Sequence, residues 1–276
     1  MMLKHHNRSI QYGFSLIEMA VVLLIVALLL GGLLPTVSSQ VEQKHRNDTR
    51  KQLEEIQQAL VGFAIVNGRL PCPASPNSNG LESFCNTATP CGGEAPTTNP
   101  VPAHGRCFKP YDGFVPAATL GITPVDSNGY TIDGWNNRIH YAISTVNVAA
   151  VYTFTAPNGM SSVGVSNLNP DLYVCASSPN PLTPTQTMTA PPWCGAANVL
   201  TSMAPAVIYS TGNNSGGSAD EMANANSFIN LSGNPNSYED KVFVSHDPTP
   251  TFDDIVIWIS PNILVNRMVS AGKLIN

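Results

Sequence analysis

The chain has 276 residues, enough for one large domain or two small ones, and carries 18 acids against 13 bases for a net charge of −5. From Cys72 onward 13 acids face 6 bases, and so acidic a body argues against nucleic acid as a partner, because phosphate binding needs a basic face. Only 11% of residues are charged, and 21 Gly with 23 Pro point to loops and short strands over long surface helices.

The first twelve residues hold Lys4, His5, His6 and Arg8 and no acid, so the positive-inside rule predicts that this end stays in the cytoplasm and the remainder is translocated. Residues 14–34 follow as an apolar run in which only Ser15 and Glu18 are clearly polar. As a helix that run would be about 31 Å long, enough for a bilayer core. A carboxylate there costs about 2.5–3.5 kcal/mol on insertion scales, so Glu18 reads as functional, with a partner to be found. A conventional secretory signal fits less well, because the run is long for its apolar core and contains Glu18. No cysteine follows closely, which excludes a lipoprotein signal.

Pro35 would ordinarily end a helix. Beyond it, however, Leu53, Ile56, Leu60, Phe63 and Ala64 recur at spacings of three and four, so one long kinked helix is predicted over residues 14–67. Gly68 supplies the expected stop. The second half carries an apolar stripe that must bury against something downstream.

Residues 68–276 form the expected body. All six cysteines, Cys72, Cys85, Cys91, Cys107, Cys175 and Cys194, lie on its exported side, and an even number there predicts disulfides. No C-x-x-C pair favours zinc. Proximity pairs Cys175 with Cys194 and leaves the other four to form two bridges in an unspecified order. Strands are predicted at 138–144, 150–155, 171–175, 206–210, 241–245 and 254–260, with a final helix over 261–273 and loops over 72–110, 176–198 and 211–237. One long helix followed by strands without β-α alternation reads as α+β with a small antiparallel sheet, stapled by disulfides in its long loops.

Gly13-Phe14-Ser15-Leu16-Ile17-Glu18, with a basic leader before it and an apolar helix after it, resembles the processing and methylation site of type IV prepilins and type II secretion pseudopilins. The resemblance implies that prepilin peptidase removes residues 1–13, that Phe14 is N-methylated, and that Glu18 and Pro35 serve assembly. Cleavage would create an α-amino group, positive at neutral pH, on Phe14. Glu18 of one subunit could pair with that amine on its neighbour and fix register in a fibre. The implied fold is pilin-like, with residues 14–34 transmembrane and the rest of the helix packed on the sheet. The implied localisation is the inner membrane, single-pass, with the body in the periplasm, and then a pilus or pseudopilus. The implied partners are other pilin or pseudopilin subunits, the peptidase, the inner-membrane assembly platform and, before assembly, membrane lipid.

Weaker similarity reaches the body. Asp133, Trp135, Asn137 and Tyr141 match a D-x-W-x-N-x-x-x-Y stretch of major pseudopilins, and Gly68-Arg69-Leu70-Pro71-Cys72-Pro73 resembles the turn leaving a pilin helix. Major pseudopilins also bind calcium near the carboxyl end. Asp220-Glu221, Glu239-Asp240 and Asp253-Asp254 supply oxygen donors of the type calcium prefers, with Asp220, Glu221, Asp253 and Asp254 the candidates, although their spacing matches no calcium loop. No other cofactor is expected.

Enzyme chemistry finds little support. Asn213-Asn214-Ser215-Gly216-Gly217 superficially resembles a protease serine environment without the acid that should precede the serine, and His104, His140 and His246 lack metal-site spacing. The expectation is a non-enzymatic minor pilin or pseudopilin. The alternative is an exported enzyme or ligand-binding domain on an uncleaved signal anchor.

Overall fold

The computed structural model describes residues 13, 15–87, 91, 96–178, 194, 197–214, 217–224 and 241–274, with the side chains at 30–38 outside the description. Two compact units divide the chain, Met1–Lys44 and His45–Asn276.

Helix α1, Leu16–Asn67, is assigned without a break through Pro35 and crosses from one unit to the other. It stops where the sequence requires: Gly68 takes a φ of 69°, and its amide donates to Ala64 O at 2.8 Å. Among the described residues no helix is long and apolar enough to cross a membrane. The predicted span is described only as far as Leu29, since the side chains of residues 30–34 lie outside the description.

The body is built from β1 (Gly113–Phe114), α2 (Ala117–Leu120), β2 (His140–Ile143), β3 (Asn147–Val148), β4 (Val151–Tyr152), α3 (Gly159–Val163), β5 (Leu172–Cys175), β6 (Val199–Ala204), β7 (Ala206–Ser210), α4 (Ala219–Asn224), β8 (Val242–Val244), β9 (Ile255–Trp258) and α5 (Pro261–Ser270). An antiparallel sheet runs β1-β2-β7-β9, in register at Tyr141↔Ile208 and Ile208↔Ile257. A second sheet runs β6-β5-β8, and its β5–β8 pair is parallel, a departure from the purely antiparallel expectation.

The first sheet is covered on both faces. Tyr141, Ile143, Ala206 and Ile208 join Leu53, Ile56, Leu60 and Ala64 of α1 and Leu264 and Met268 of α5 in one apolar core. The alternate residues Ala142, Val207 and Tyr209 meet Leu172, Val174 and Phe243 of the second sheet. Side chains alternate along a strand, so burial on both faces demands an apolar residue at every position, which is why β7 reads Ala-Val-Ile-Tyr without a polar break. Each fully buried Leu or Ile of the stripe contributes about 1.5–3 kcal/mol.

The D-x-W-x-N stretch is the turn that joins α1 to this sheet. Asp133 Oδ1 accepts from the amides of Trp135 and Asn137 at 2.9 and 2.8 Å, and its Oδ2 accepts from Ser210 Oγ of β7 at 2.5 Å. Gly134 donates to Thr49 Oγ1 of α1 at 2.9 Å, and a Cβ there would lie 2.8 Å from His45 O, so only glycine permits the contact. Burial pushes the Asp133 carboxyl up, with the Ser210, Asn137 and Trp135 hydrogen bonds pulling the other way.

Three disulfides form: Cys72–Cys107, Cys85–Cys91 and Cys175–Cys194. The last is the pair expected from proximity, and the structure selects the other two.

Several local readings need correction. The strand expected over 150–155 stops at Tyr152, because Thr155 and Ala156 turn back to donate to Tyr152 O. Strand β6 was not anticipated, since it is an edge strand whose Val199, Leu200 and Met203 are exposed and show no apolar alternation. The short helices α3 and α4 fall in segments read as loops or left unassigned. The last helix ends at Ser270, three residues early, and Gly272 follows with a φ of 70°.

Candidate functional site

Two places concentrate the predicted functional residues, one in each unit. In the first, Gly13 is exposed, with no atom within 4 Å of where a Cβ would stand, and Phe14 lies outside the described residues. Ser15 and Glu18 cap the start of α1 reciprocally: Ser15 N donates to Glu18 Oε2 at 2.8 Å, and Glu18 N donates to Ser15 Oγ at 3.3 Å. This capping box satisfies two amides that a helix start leaves orphaned. Glu18 therefore has a partner within its own chain, and the S-x-x-E spacing that announces it was visible in the sequence. Every described side chain from Ser15 to Leu29 is exposed, among them Leu16 at 90% and Leu28 at 70%. Pro35 lies within α1, with its side chain outside the description.

In the second unit, three of the four predicted oxygen donors converge. Glu221 comes from α4, while Asp253 and Asp254 come from the stretch entering β9, and ligand oxygens from all three lie within 4.8 Å of one another. All three are buried, at 1%, 7% and 5% exposure. Asp220, the fourth, lies apart: it accepts from Ser178 N at 2.5 Å and sits 3.2 Å from His246 Nε2. Glu239 and Asp240 lie outside the residues the structure describes.

Backbone amides serve part of the cluster. Asp253 Oδ2 accepts from Asn213 and Asn214 at 2.9 and 3.1 Å, and Glu221 Oε2 accepts from Gly217 and Ser218 at 2.6 and 3.2 Å. Asn224 Nδ2 donates to Asp254 Oδ2 at 2.8 Å, while its Oδ1 accepts from Val244 N at 2.7 Å, which ties the cluster to β8. Asp254 Oδ1 is buried without a hydrogen-bond partner. Gly212 has a φ of 64°, and a Cβ there would stand 2.3 Å from Asp253 Oδ1, so the turn after β7 must be glycine for the carboxylate to fit. Asn137 holds that turn by donating to Gly212 O at 2.5 Å, which places the D-x-W-x-N stretch directly behind the cluster.

Burial pushes the Asp254 carboxyl up to about 7, helped by the nearby charges of Glu221 and Asp253 and opposed by Asn224. Asp253 is also raised, first by burial and then by Glu221, against its two amide bonds and the attraction of Arg46. Three carboxylates this close repel one another in low dielectric, and a proton or a cation between them relieves the repulsion. An all-oxygen donor set suits a hard cation of the calcium or magnesium type.

The Asn214 side chain was missed in the sequence. Its amide atom facing the cluster lies 2.6 and 3.1 Å from the two Asp253 oxygens and 2.8 Å from Glu221 Oε1. Nitrogen-inward, the orientation that satisfies both ends of the amide, it donates to both carboxylates. Nothing local announces this convergence, because the four residues come from three separate segments.

A family model described as the prokaryotic N-terminal methylation motif matches residues 8–34, a stretch that includes Gly13, Phe14 and Glu18 and ends one residue before Pro35. This is the prepilin-type motif of type IV pilins and pseudopilins; such a motif implies processing by prepilin peptidase and assembly with other pilin subunits, and it suggests a membrane-anchored or pilus-associated protein. Neither a curated protein nor a solved structure matches the chain.

Proposed function

We propose that this chain, which carries the prepilin-type methylation motif of type IV pilins and pseudopilins at residues 8–34, is a non-enzymatic filament subunit, a minor pilin or pseudopilin of a type IV pilus or type II secretion system. It is held in the inner membrane by residues 14–34 with its body in the periplasm, cleaved after Gly13, methylated on Phe14, and moved by the assembly platform from lipid into the filament. The observation that carries this reading is the unbroken exposure of residues 15–29 on a helix whose second half is buried in its own body. A stripe that wide and that apolar needs lipid or other subunits to cover it.

Cleavage changes the surroundings of Glu18. Its intrachain partner is the Ser15 amide, through an exposed bond. In a packed filament core the released amine of Phe14 on a neighbouring subunit would neutralise it and set register. Glu18→Ala should leave cleavage intact and reduce the amount of this subunit recovered in sheared filaments or in pseudopilin cross-links. Recovery equal to wild type contradicts the assembly role.

A second proposal concerns the body: Glu221, Asp253 and Asp254 hold a calcium ion. The unpartnered, buried Asp254 Oδ1 supports it, since a cation would supply the partner the protein does not. Calcium would neutralise the cluster and join α4 to the start of β9. Titration of calcium into the purified chain should give one saturable site, and no heat of binding at millimolar calcium contradicts the assignment.

A further inference from the structure

We propose that the cavity between the loop over 106–111, the β3–β4 hairpin and the start of β8 binds a small polyhydroxylated carboxylate of the sugar-acid type. The proposal concerns the body alone and rests on neither the filament role nor the calcium reading.

The cavity has a volume of about 190 Å³. That is below the roughly 300–1,000 Å³ of pockets that enclose drug-sized ligands, so its occupant is a single small molecule. Arg106, Tyr111, Thr145, Asn147, Tyr152 and Lys241 give it a polar wall. A hydrocarbon ligand would strip water from these groups without replacing their hydrogen bonds, which excludes a lipid tail.

Charge sets the sign of the ligand. From Cys72 onward 13 acids face 6 bases, yet two of those six bases line this one cavity, and no acid among the described residues does. Arg106 is 9% exposed and stands over the Tyr152 ring, 5.9 Å from its centroid, while Lys241 stands 6.0 Å from the centroid of Tyr111. Each ring thus holds a cation at the cavity wall. Lys241 is also held by an ion pair with Asp171, which is not a lining residue. A guanidinium and an ammonium on one small concave surface focus positive potential there, and the planar guanidinium fork matches a carboxylate.

The uncharged groups ask for hydroxyls. Tyr111 Oη and Thr145 Oγ1 hydrogen-bond to each other, which uses one hydroxyl proton and leaves the other to donate. Asn147, exposed at the rim, donates one amide proton to Thr145 O at 3.3 Å and has a second proton and its oxygen left over. Donors and acceptors side by side suit a polyol, whose hydroxyls both give and take hydrogen bonds.

The wall is fixed before any ligand arrives. Arg106 N donates to His104 Nδ1 at 2.9 Å, Arg106 O accepts from Cys85 N at 2.9 Å, and the adjacent Cys107 is bridged to Cys72. Asn147 faces Tyr152 across the β3–β4 ladder, and Ala149 and Ala150 turn that hairpin at φ values of 49° and 64°. Alanine adopts this left-handed conformation only where its surroundings impose it, so the two rim residues are set side by side by the fold. A site organised in advance loses little freedom on binding.

The test titrates the full chain in detergent by calorimetry, with sodium glucuronate as probe. Glucose keeps the ring and hydroxyls without the charge, and sodium acetate keeps the charge alone. Glucuronate should saturate one site, with glucose and acetate each weaker by about tenfold or more. Arg106→Gln should weaken glucuronate by about tenfold or more, and Asn147→Ala, at the exposed rim, by about threefold with its denaturant midpoint unchanged. Native amide exchange at residues 139–143 and 206–209 verifies that a variant has folded. If Arg106→Gln does not fold, Asn147→Ala decides alone. No saturable glucuronate binding in the millimolar range, glucose or acetate binding as tightly as glucuronate, or unchanged glucuronate affinity in the folded variants would each overturn the proposal.

Discussion

The two halves of α1 show what the sequence asks of each region. Between residues 45 and 67 the helix turns Leu53, Ile56, Leu60 and Ala64 inward at 0% exposure and keeps Lys51, Glu54 and Glu55 on the outside. Between residues 15 and 29 it has apolar side chains all round, every one exposed, and a single carboxylate whose bonds go to its own first turn. The first pattern is that of a helix completed by its own protein. The second is that of a helix completed by its surroundings.

If that contrast is right, changes in the body should cost stability and changes in the first turns should cost assembly. The largest stability effect should come from opening Cys72–Cys107, which closes a separation of 35 residues. Replacing both cysteines with alanine should lower unfolding free energy by about 4 kcal/mol on the chain-entropy relation, read from denaturant unfolding followed by Trp fluorescence. Leu60→Ala should cost about 3 kcal/mol in the same assay, since its site in the core is fully enclosed.

A titration should sharpen the contrast further. Burial lowers the His140 imidazole from 6.5 to about 4, with Nδ1 inside the protein and lacking a hydrogen bond. In the unfolded chain this imidazole takes up its proton near pH 6.5, and in the folded body only near pH 4. The unfolded state therefore binds more protons in between, and stability should fall as pH drops through that window, by on the order of 2–3 kcal/mol. His140→Phe, which keeps the ring against Phe114 and Tyr209, should flatten that part of the profile. A slope unchanged in the variant assigns it to other groups.

Smaller effects belong to the first turns. Ser15→Ala removes one side of the capping box and should loosen the start of α1 by about 1 kcal/mol, seen as faster exchange of the amides at 17–19 and no change in body unfolding. Leu24→Ala, at a position 61% exposed, should shift unfolding by less than about 0.5 kcal/mol. A loss as large as that of Leu60→Ala would mean that the apolar half has a partner inside its own chain, and the contrast would fail.

How much of this could be read from the sequence depends on how local each feature is. The Gly13-to-Glu18 motif needs no tertiary structure to be recognised, and the Gly68 stop and the Leu53–Ala64 stripe follow from helical geometry alone. Strand β7 was legible because burial on both faces made it continuously apolar. Strand β6 was not, because an edge strand with one open face has no pattern to impose. The pairing of Cys72 with Cys107 depends on where the intervening loop folds, and four cysteines in one loop leave that undetermined. The carboxylate cluster shows the same limit: Glu221 and Asp253 are 32 residues apart, and only the order of β7, β8 and β9 brings them together, while the equally acidic Asp220 turns to Ser178 and His246. The capping role of Glu18 was different, since S-x-x-E stood in plain view.

The most direct test of the account is the mass of the mature amino terminus, measured on the chain recovered from cells that express a prepilin peptidase. The account predicts a chain that begins at Phe14 and carries one added methyl group on its amine. An intact Met1, or a new terminus at Gln40 as a conventional secretory signal would leave, would contradict it.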